Sequence, residues 1–384
     1  MITKTATEAF KGIETPFYYY DMELLSATAD EFSKLLSKYN YTGHYAIKAN
    51  GNKRILKTLA SKGIGAECAT GNEVKLAVEC GFAPQDIVYA GVGKTDREIR
   101  TALEIGIYCF NCESLQEIEV IDSIAGEMGK VANIAVRVNP DVDAHTHEYI
   151  TTGREENKFG ISPWEFENLL EVTGRCTNIT LCGLHFHIGS QITDLSVYKE
   201  LCDKIDVIQC WFEDRGKSFE NIDLGGGLGV DYGDPTGNPM PAFAELFEII
   251  GANLKRRPGQ KVHLEPGRSM VAQCGHLITR VVYVKHGRLK SFAILDSGMN
   301  NLIRPALYGA LHKIENLTSD APQKIYDIVG PVCESSDVWA KGYSVAEASR
   351  GDIFAIHSAG AYGEVMQMHY LQRPLAPSVY SDEL

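Results

Sequence analysis

From residue 40 to residue 266 the chain alternates short apolar runs with longer amphipathic ones. The apolar runs predict eight strands, at residues 43–48, 64–68, 87–91, 107–111, 134–139, 181–187, 222–225 and 262–265. Helix-period segments fall between them at 53–62, 71–80, 96–105, 115–128, 164–173, 197–213 and 242–256. Strand–helix alternation implies parallel pairing through crossover helices. Eight such units predict an α/β fold built on a closed (β/α)8 barrel, with an open doubly wound sheet as the alternative. After Gly267 the texture changes. Runs at 281–285, 291–295, 324–329 and 352–356 read as strands separated by Gly, Pro, Asn and Asp, which predicts a C-terminal β-rich domain. One more strand, at 15–20 (T-P-F-Y-Y-Y), precedes the barrel, and the pattern leaves open which domain it joins.

The 384 residues suffice for two domains, and 44% hydrophobic with 23% charged residues is the make-up of a globular protein. A net charge of -13 argues against nucleic acid or an anionic membrane as a partner, but leaves room for a local basic pocket. Residues 1–11 are polar and no apolar run reaches the length of a membrane span, so a cytoplasmic protein is expected. The ten cysteines are scattered, with one C-x-x-C at Cys109 and Cys112. It has no second pair for a metal, so buried structural thiols in a reducing compartment are expected, with no resident metal.

Barrel active sites form at the C-terminal ends of the strands, and polar residues collect there. They include Lys48, Asn50, Glu67, Asn111, Arg137, Asn139, His185, His187, Asp223, Glu265 and Arg268. Lys48, in H-Y-A-I-K-A-N, would in isolation be a surface residue with its stem on apolar neighbours. In a pocket its amine can lose a proton and attack a carbonyl. Residues 225–229 (G-G-G-L-G) either form a tight turn or let backbone N–H groups approach a phosphate. The dinucleotide spacing fails, because neither residue 230 nor residue 232 is Gly. In E-P-G-R (265–268), Arg268 suits a carboxylate or phosphate and Glu265 a protonated ring nitrogen, unless the two only pair with each other. His185 and His187 share one side of a strand; they suit stacking on a flat cofactor or binding zinc, but no third ligand is expected nearby.

Together these motifs resemble the fold-type III pyridoxal-phosphate-dependent decarboxylases, most closely their diaminopimelate decarboxylase branch. The likeness runs over residues 14–374. It rests on H-Y-A-I-K-A-N (44–50), R-V-N-P-D-V-D-A-H-T-H (137–147), E-N-K-F-G-I (156–161), H-F-H-I-G-S-Q (185–191) and D-L-G-G-G-L-G (223–229). E-P-G-R (265–268), D-S-G-M-N-N-L-I-R-P-A-L-Y (296–308), G-P-V-C-E-S-S-D (330–337) and G-A-Y-G (360–363) follow in the same order. The resemblance implies an alanine-racemase-like barrel at 21–267 that binds pyridoxal 5'-phosphate. It also implies a β-domain made of residues 268–384 with the N-terminal strand at 1–20, and a homodimer with shared active sites.

In that picture Lys48 carries the cofactor as an imine, His187 stacks on its ring and Glu265 keeps the ring nitrogen protonated. Ser190, Gly227, Gly267, Arg268 and Tyr362 contact the cofactor. Arg268, Arg304, Tyr308, Glu334 and Tyr362 contact the substrate. Cys333, from the other subunit, protonates the product carbanion. The implied reaction is decarboxylation of meso-2,6-diaminopimelate to L-lysine, whose distal zwitterion suits Arg304 and Glu334. The alternatives are another basic amino acid or carboxynorspermidine as substrate, a non-catalytic homologue that would have lost the lysine or cysteine, and a racemase that would want a tyrosine acid. Three positions depart from the family: Glu67 where Asp is usual, Ser336 where Gly is usual, and the tail M-Q-M-H-Y-L-Q-R-P, whose divergence weakens any role for it.

Overall fold

The computed structural model describes residues 2–142 and 158–384. Residues 143–147 of the second motif and 156–157 of the third lie outside the described residues. The chain forms two compact units: residues 29–229 with 242–267, and residues 1–28 with 230–241 and 268–384. Residues 21–28 and 230–241, expected within a continuous 21–267 span, therefore group with the β-rich unit.

In the first unit eight strands close into a parallel barrel. Numbering from the N-terminal strand β1 (Phe17–Tyr20), they are β2 (Thr42–Ala46), β3 (Gly65–Cys68), β4 (Ile87–Tyr89), β5 (Cys109–Cys112), β6 (Ala132–Arg137), β7 (Ile179–His185), β8 (Asn221–Asp223) and β9 (Lys261–Leu264). The open doubly wound alternative is excluded, because β9 pairs with β2 through Thr42↔His263 and Gly43↔Leu264. The register levels the chemistry. Arg137 pairs with His185 and His185 with Asp223, so three polar side chains stand side by side on β6, β7 and β8. Glu67 stands level with Ala46, two residues before Lys48. Local signals hold the crossovers: helix Asp96–Ile105 starts on a Thr95/Glu98 capping box and ends at Gly106 in the left-handed region.

Several strands stop earlier than the apolar pattern predicts. β2 ends at Ala46, and Lys48 lies in the single 3-10 turn Ile47–Ala49. β7 ends at His185, so His187 belongs to the loop that follows. Hydrophobicity continues past the last ladder bond in both cases, because the loops over the barrel end are themselves partly buried.

The second unit holds an eight-stranded sheet ordered β12-β15-β10-β11-β13-β14, with β1 pairing β10 and β16. Its strands are β10 (Gly275–His286), β11 (Ser291–Leu295), β12 (Ile314–Asn316), β13 (Gln323–Val329), β14 (Val338–Ala346), β15 (Ile353–Ile356) and β16 (Ser378–Tyr380). β1 runs antiparallel to β10 from Phe17↔Ile278 to Tyr20↔Gly275. Phe10, Phe17, Tyr19, Ile278, Ile353 and Ala355 pack into one apolar cluster beneath that pairing. Each large apolar side chain buried there contributes about 1.5–3 kcal/mol. β12, β14 and β16 escaped the sequence reading because each is short or rich in exposed residues.

All ten cysteines are free thiols. Cys109 and Cys112 are both buried on β5. Three residues apart on a strand, they point to opposite faces and cannot chelate one ion together. Among the described residues no helix is long and apolar enough to cross a membrane.

Candidate active site

At the C-terminal end of the barrel, buried polar side chains converge on Glu265, just past β9. Its Oε2 lies 2.9 Å from His185 Nε2, and its Oε1 accepts from Asn111 Nδ2 at 3.1 Å. Burial alone would push this carboxyl up. His185 in contact, with Lys48 nearby, outweighs burial and holds it well below the usual carboxylate range. Asp223 behaves oppositely. Burial, then the Glu265 charge, drives its carboxyl well above its usual value, although it accepts from Gly225 N–H at 2.8 Å. The two shifts run in opposite directions, which favours the neutral form at Asp223 and the anion at Glu265.

His185, Asp223 and Glu265 offer ligand atoms within 4.8 Å of one another, so the neighbours a metal would need beside His185 do exist. This corrects the expectation that no further ligand stands near the histidines. A protonated Asp223 is a poor metal ligand, however, and His187 is not part of the cluster.

Lys48 Nζ lies 2.7 Å from Oε2 of Glu67, which is itself buried. The longer side chain at position 67 thus reaches the amine directly, while its Oε1 is buried with no hydrogen-bond partner among the described residues. Arg137 is held by Glu113 at 2.8 Å.

His187 is half-buried beside the glycine loop, and its Nδ1 accepts from Gly226 N–H at 3.3 Å. Burial, followed by the Arg137 and Lys48 cations, pushes its pKa well below the ordinary histidine value. An uncharged ring suits stacking on a flat group. Accordingly, the His187 Cε1–H resonance is expected to show no titration between about pH 5.5 and 8, where an exposed histidine would titrate. A midpoint near 6.5 would contradict this placement.

The glycine loop needs its glycines. Gly227 has φ +114. A Cβ on Gly226 would stand 2.2 Å from the Glu265 carbonyl oxygen. The loop is tied to the Ser190 segment, since Ile192 N–H donates to Gly227 O and Gly229 N–H to Ile192 O, both at 2.9 Å. Packing this close leaves backbone amides able to face an anion. Gly267 is confined less severely, its Cβ position lying 3.1 Å from Ala46 Cβ.

In the β-rich unit a second cluster gathers around Tyr232. Arg268 Nη1 donates to Tyr232 Oη at 2.8 Å, and the same guanidinium lies over the Tyr362 ring at 4.9 Å. Arg304 lies over the Tyr232 ring at 4.6 Å and donates to His312 Nε2 at 2.8 Å. Its Nε–H is buried with no partner among the described residues. Tyr308, half-buried, ends the short helix Arg304–Tyr308. Glu265 is thus held by His185 and Asn111, and Arg268 by Tyr232.

Cys333 and Glu334 are exposed on a loop, and Glu334 accepts from Tyr370 Oη at 2.6 Å. The divergent tail therefore does contact an expected substrate residue, contrary to the reading that it weakens any such role. Tyr232 and His312 were missed from sequence. A tyrosine in D-Y-G-D-P and a histidine four residues past a helix end carry no signal until the chain folds back on Arg304.

Comparison with known proteins fits this geometry. The family described as pyridoxal-dependent decarboxylase, pyridoxal binding domain, matches residues 23–272. A diaminopimelate decarboxylase of Bacteroides thetaiotaomicron is 49% identical over 378 residues, covering 98% of each chain. The crystal structure of diaminopimelate decarboxylase from Helicobacter pylori complexed with L-lysine superposes with a TM-score of 0.92 at 36% identity, covering 98% of this chain and 94% of that one. An arginine decarboxylase of Paramecium bursaria Chlorella virus shares the fold at 20% identity and a TM-score of 0.86, covering 98% of this chain and all of that one.

Proposed function

The chain belongs to the pyridoxal-dependent decarboxylases, in their diaminopimelate decarboxylase branch, and we propose how its residues divide the conversion of meso-2,6-diaminopimelate into L-lysine and carbon dioxide. The observation that carries this reading is Glu265, a buried carboxylate whose two oxygens are met by His185 Nε2 and Asn111 Nδ2. Pyridoxal 5'-phosphate fits the residues present. Its ring nitrogen matches that carboxylate, its flat ring matches the uncharged His187, its aldehyde matches the Lys48 amine, and its phosphate matches the closely packed glycine loop with Ser190, Gly227 and Gly267, while the family likeness alone assigns it Arg268 and Tyr362. When bound, it accepts the electron pair left behind as carbon dioxide departs.

Lys48 holds the group and yields its place to the substrate amine. Glu67, in contact with Lys48, takes up the charge of the displaced ammonium. Glu265 keeps a proton on the ring nitrogen by remaining anionic, and Asp223 supports it by staying neutral. Asn111 and His185 fix both oxygens of Glu265, so its orientation needs no rearrangement during turnover.

Arg304 recognises the distal carboxylate of the substrate. A buried guanidinium without an anion costs several kcal/mol, which a carboxylate ligand offsets. Glu334 receives the distal ammonium, with Tyr370 holding one of its oxygens. Arg268, Tyr308 and Tyr362 complete the polar wall. A basic amino acid without a distal carboxylate would leave Arg304 unmatched, which favours diaminopimelate over ornithine-type substrates. Cys333 delivers the proton to the carbon that lost carbon dioxide, acting in the active site of a partner subunit; its exposed loop supports that role.

Purified protein incubated with meso-diaminopimelate should release carbon dioxide and lysine in equal amounts. Turnover only of ornithine, arginine or carboxynorspermidine would overturn the assignment. Shared sites in a homodimer have their own test. Lys48→Ala and Cys333→Ala proteins, each deficient alone, should regain activity on mixing, because one site of the mixed dimer is intact. No recovery after confirmed subunit exchange would place Cys333 in its own subunit's site or outside the mechanism.

A further inference from the structure

The substrate role given to Arg304 raises the question of what aims its guanidinium. Arg304 opens a five-residue helix that Gly309 ends in the left-handed region, at φ +61. The reversal returns the chain past Arg304 and brings in His312, which is buried. Both ring nitrogens are engaged. Nε2 lies 2.8 Å from Arg304 Nη1, and Nδ1 lies 2.8 Å from the His357 carbonyl oxygen.

These partners settle the tautomer. A guanidinium can only donate, so Nε2 must accept; a carbonyl can only accept, so Nδ1 must carry the proton. The ring is therefore neutral. A second proton would remove the lone pair Arg304 needs and set two cations in contact. Burial and the Arg304 charge both oppose that proton, pushing the His312 pKa down to about 3. Tyr232 closes the arrangement. Its ring meets His312 edge-on at 5.0 Å and carries Arg304 on its face at 4.6 Å, while its hydroxyl takes a bond from Arg268. One Arg304 donor is thus spent on an internal acceptor and the planar fork is pinned, leaving for a ligand the Nε–H that has no partner among the described residues.

We propose that His312 is a positioning residue for substrate specificity, acting through Arg304: its neutral Nε2 orients the guanidinium for bidentate capture of the substrate's distal carboxylate. This rests on the reading of Arg304 as the distal-carboxylate ligand. His312 touches neither substrate nor cofactor.

The test is steady-state kinetics of the full-length holoenzyme with meso-diaminopimelate. His312→Asn keeps a donor for the His357 carbonyl but withdraws the acceptor from Arg304, whereas His312→Gln returns an acceptor near the Nε2 position. The Asn variant should raise KM about tenfold, the scale of one hydrogen bond to a charged group, with a smaller change in kcat and unchanged cofactor absorbance. The Gln variant should recover most of the affinity. Arg304→Ala should itself raise KM, and adding His312→Asn to it should change nothing further.

If Arg304→Ala leaves KM unchanged, the reading of Arg304 fails. If Arg304→Ala raises KM but His312→Asn does not, or if the two effects add, the positioning role of His312 is overturned while Arg304 stands. Equal KM values for the Asn and Gln variants would also overturn it, because a merely structural histidine gives no such split.

Discussion

Lys48→Ala is expected to abolish both the visible absorbance of the bound cofactor and the decarboxylation of meso-diaminopimelate. Lys48 stands in a single turn that leaves the barrel wall after β2, with its amine 2.7 Å from the Glu67 carboxylate. Alanine cannot form a covalent link to a carbonyl group, so the fold keeps its ring clamp and glycine loop but loses the attachment. Loss of activity of about 10³-fold or more is the scale for removing a nucleophile that acts as part of a set. The amine is partly accessible, at 41% of its side-chain surface, so its removal leaves no large cavity in the core. The buried Glu67 carboxylate also loses its ion-pair partner, so a modest loss of thermal stability without cofactor should accompany the change. Unchanged absorbance in Lys48→Ala would show that another group holds the cofactor. A large loss of stability without cofactor would mean that the Lys48–Glu67 pair is mainly structural.

Glu265→Gln should be the second most damaging substitution, for a different reason. The change conserves shape and keeps one hydrogen-bonding oxygen, but it removes the buried carboxylate that His185 and Asn111 hold. An amide cannot keep a proton on a pyridine nitrogen, so the electron sink weakens while binding surfaces persist. A fall in kcat of about 10²–10³-fold with cofactor still bound matches the usual weight of one such electrostatic partner. Asp223 should respond as well. Its carboxyl is held up by burial first and then by the Glu265 charge, so without that charge its pKa moves back toward the ordinary range. A carboxylate signal from Asp223 appearing near neutral pH only in the variant would confirm that the Glu265 charge helps hold it neutral. Activity within a few-fold of the parent would remove Glu265 from the mechanism.

The acid-side behaviour of Glu265 follows from its sign. Its folded pKa lies below the unfolded value, so its contribution to stability is fully present above the unfolded carboxylate range. That contribution is lost only as pH falls toward the folded pKa. Asp223 opposes it: its folded pKa is raised, so it contributes stability below the unfolded value that disappears as pH rises. The two losses therefore fall on opposite sides of the ordinary carboxylate range, Glu265 on the acid side and Asp223 on the alkaline side.

How much was legible beforehand differs between the two units. Barrel strands are short apolar runs between amphipathic helices, and both periods repeat, so the eight-unit order could be read directly. Lys48, Glu67, Asn111, His185, Asp223 and Glu265 all follow from one rule about strand ends, since a barrel strand aims whatever stands at its C-terminal end. The β-rich unit obeys no such repeat. β12 and β16 are three residues each, and β14 exposes much of its length, so pairing partners rather than composition create them.

The sequence by itself determined the barrel and the family whose motifs run over residues 14–374. Local periodicity and residue chemistry carry both, and neither depends on distant contacts. Only the tertiary structure decided which charges exist and what orients them. Protonation of Asp223 rather than Glu265 depends on burial and on His185, which sits 80 residues away from Glu265 in the chain. The aim of Arg304 depends on Tyr232, His312 and the His357 carbonyl, drawn from three separate segments. Hydrogen-bond direction and desolvation are properties of assembled neighbours, and no run of residues contains them before the chain closes on itself.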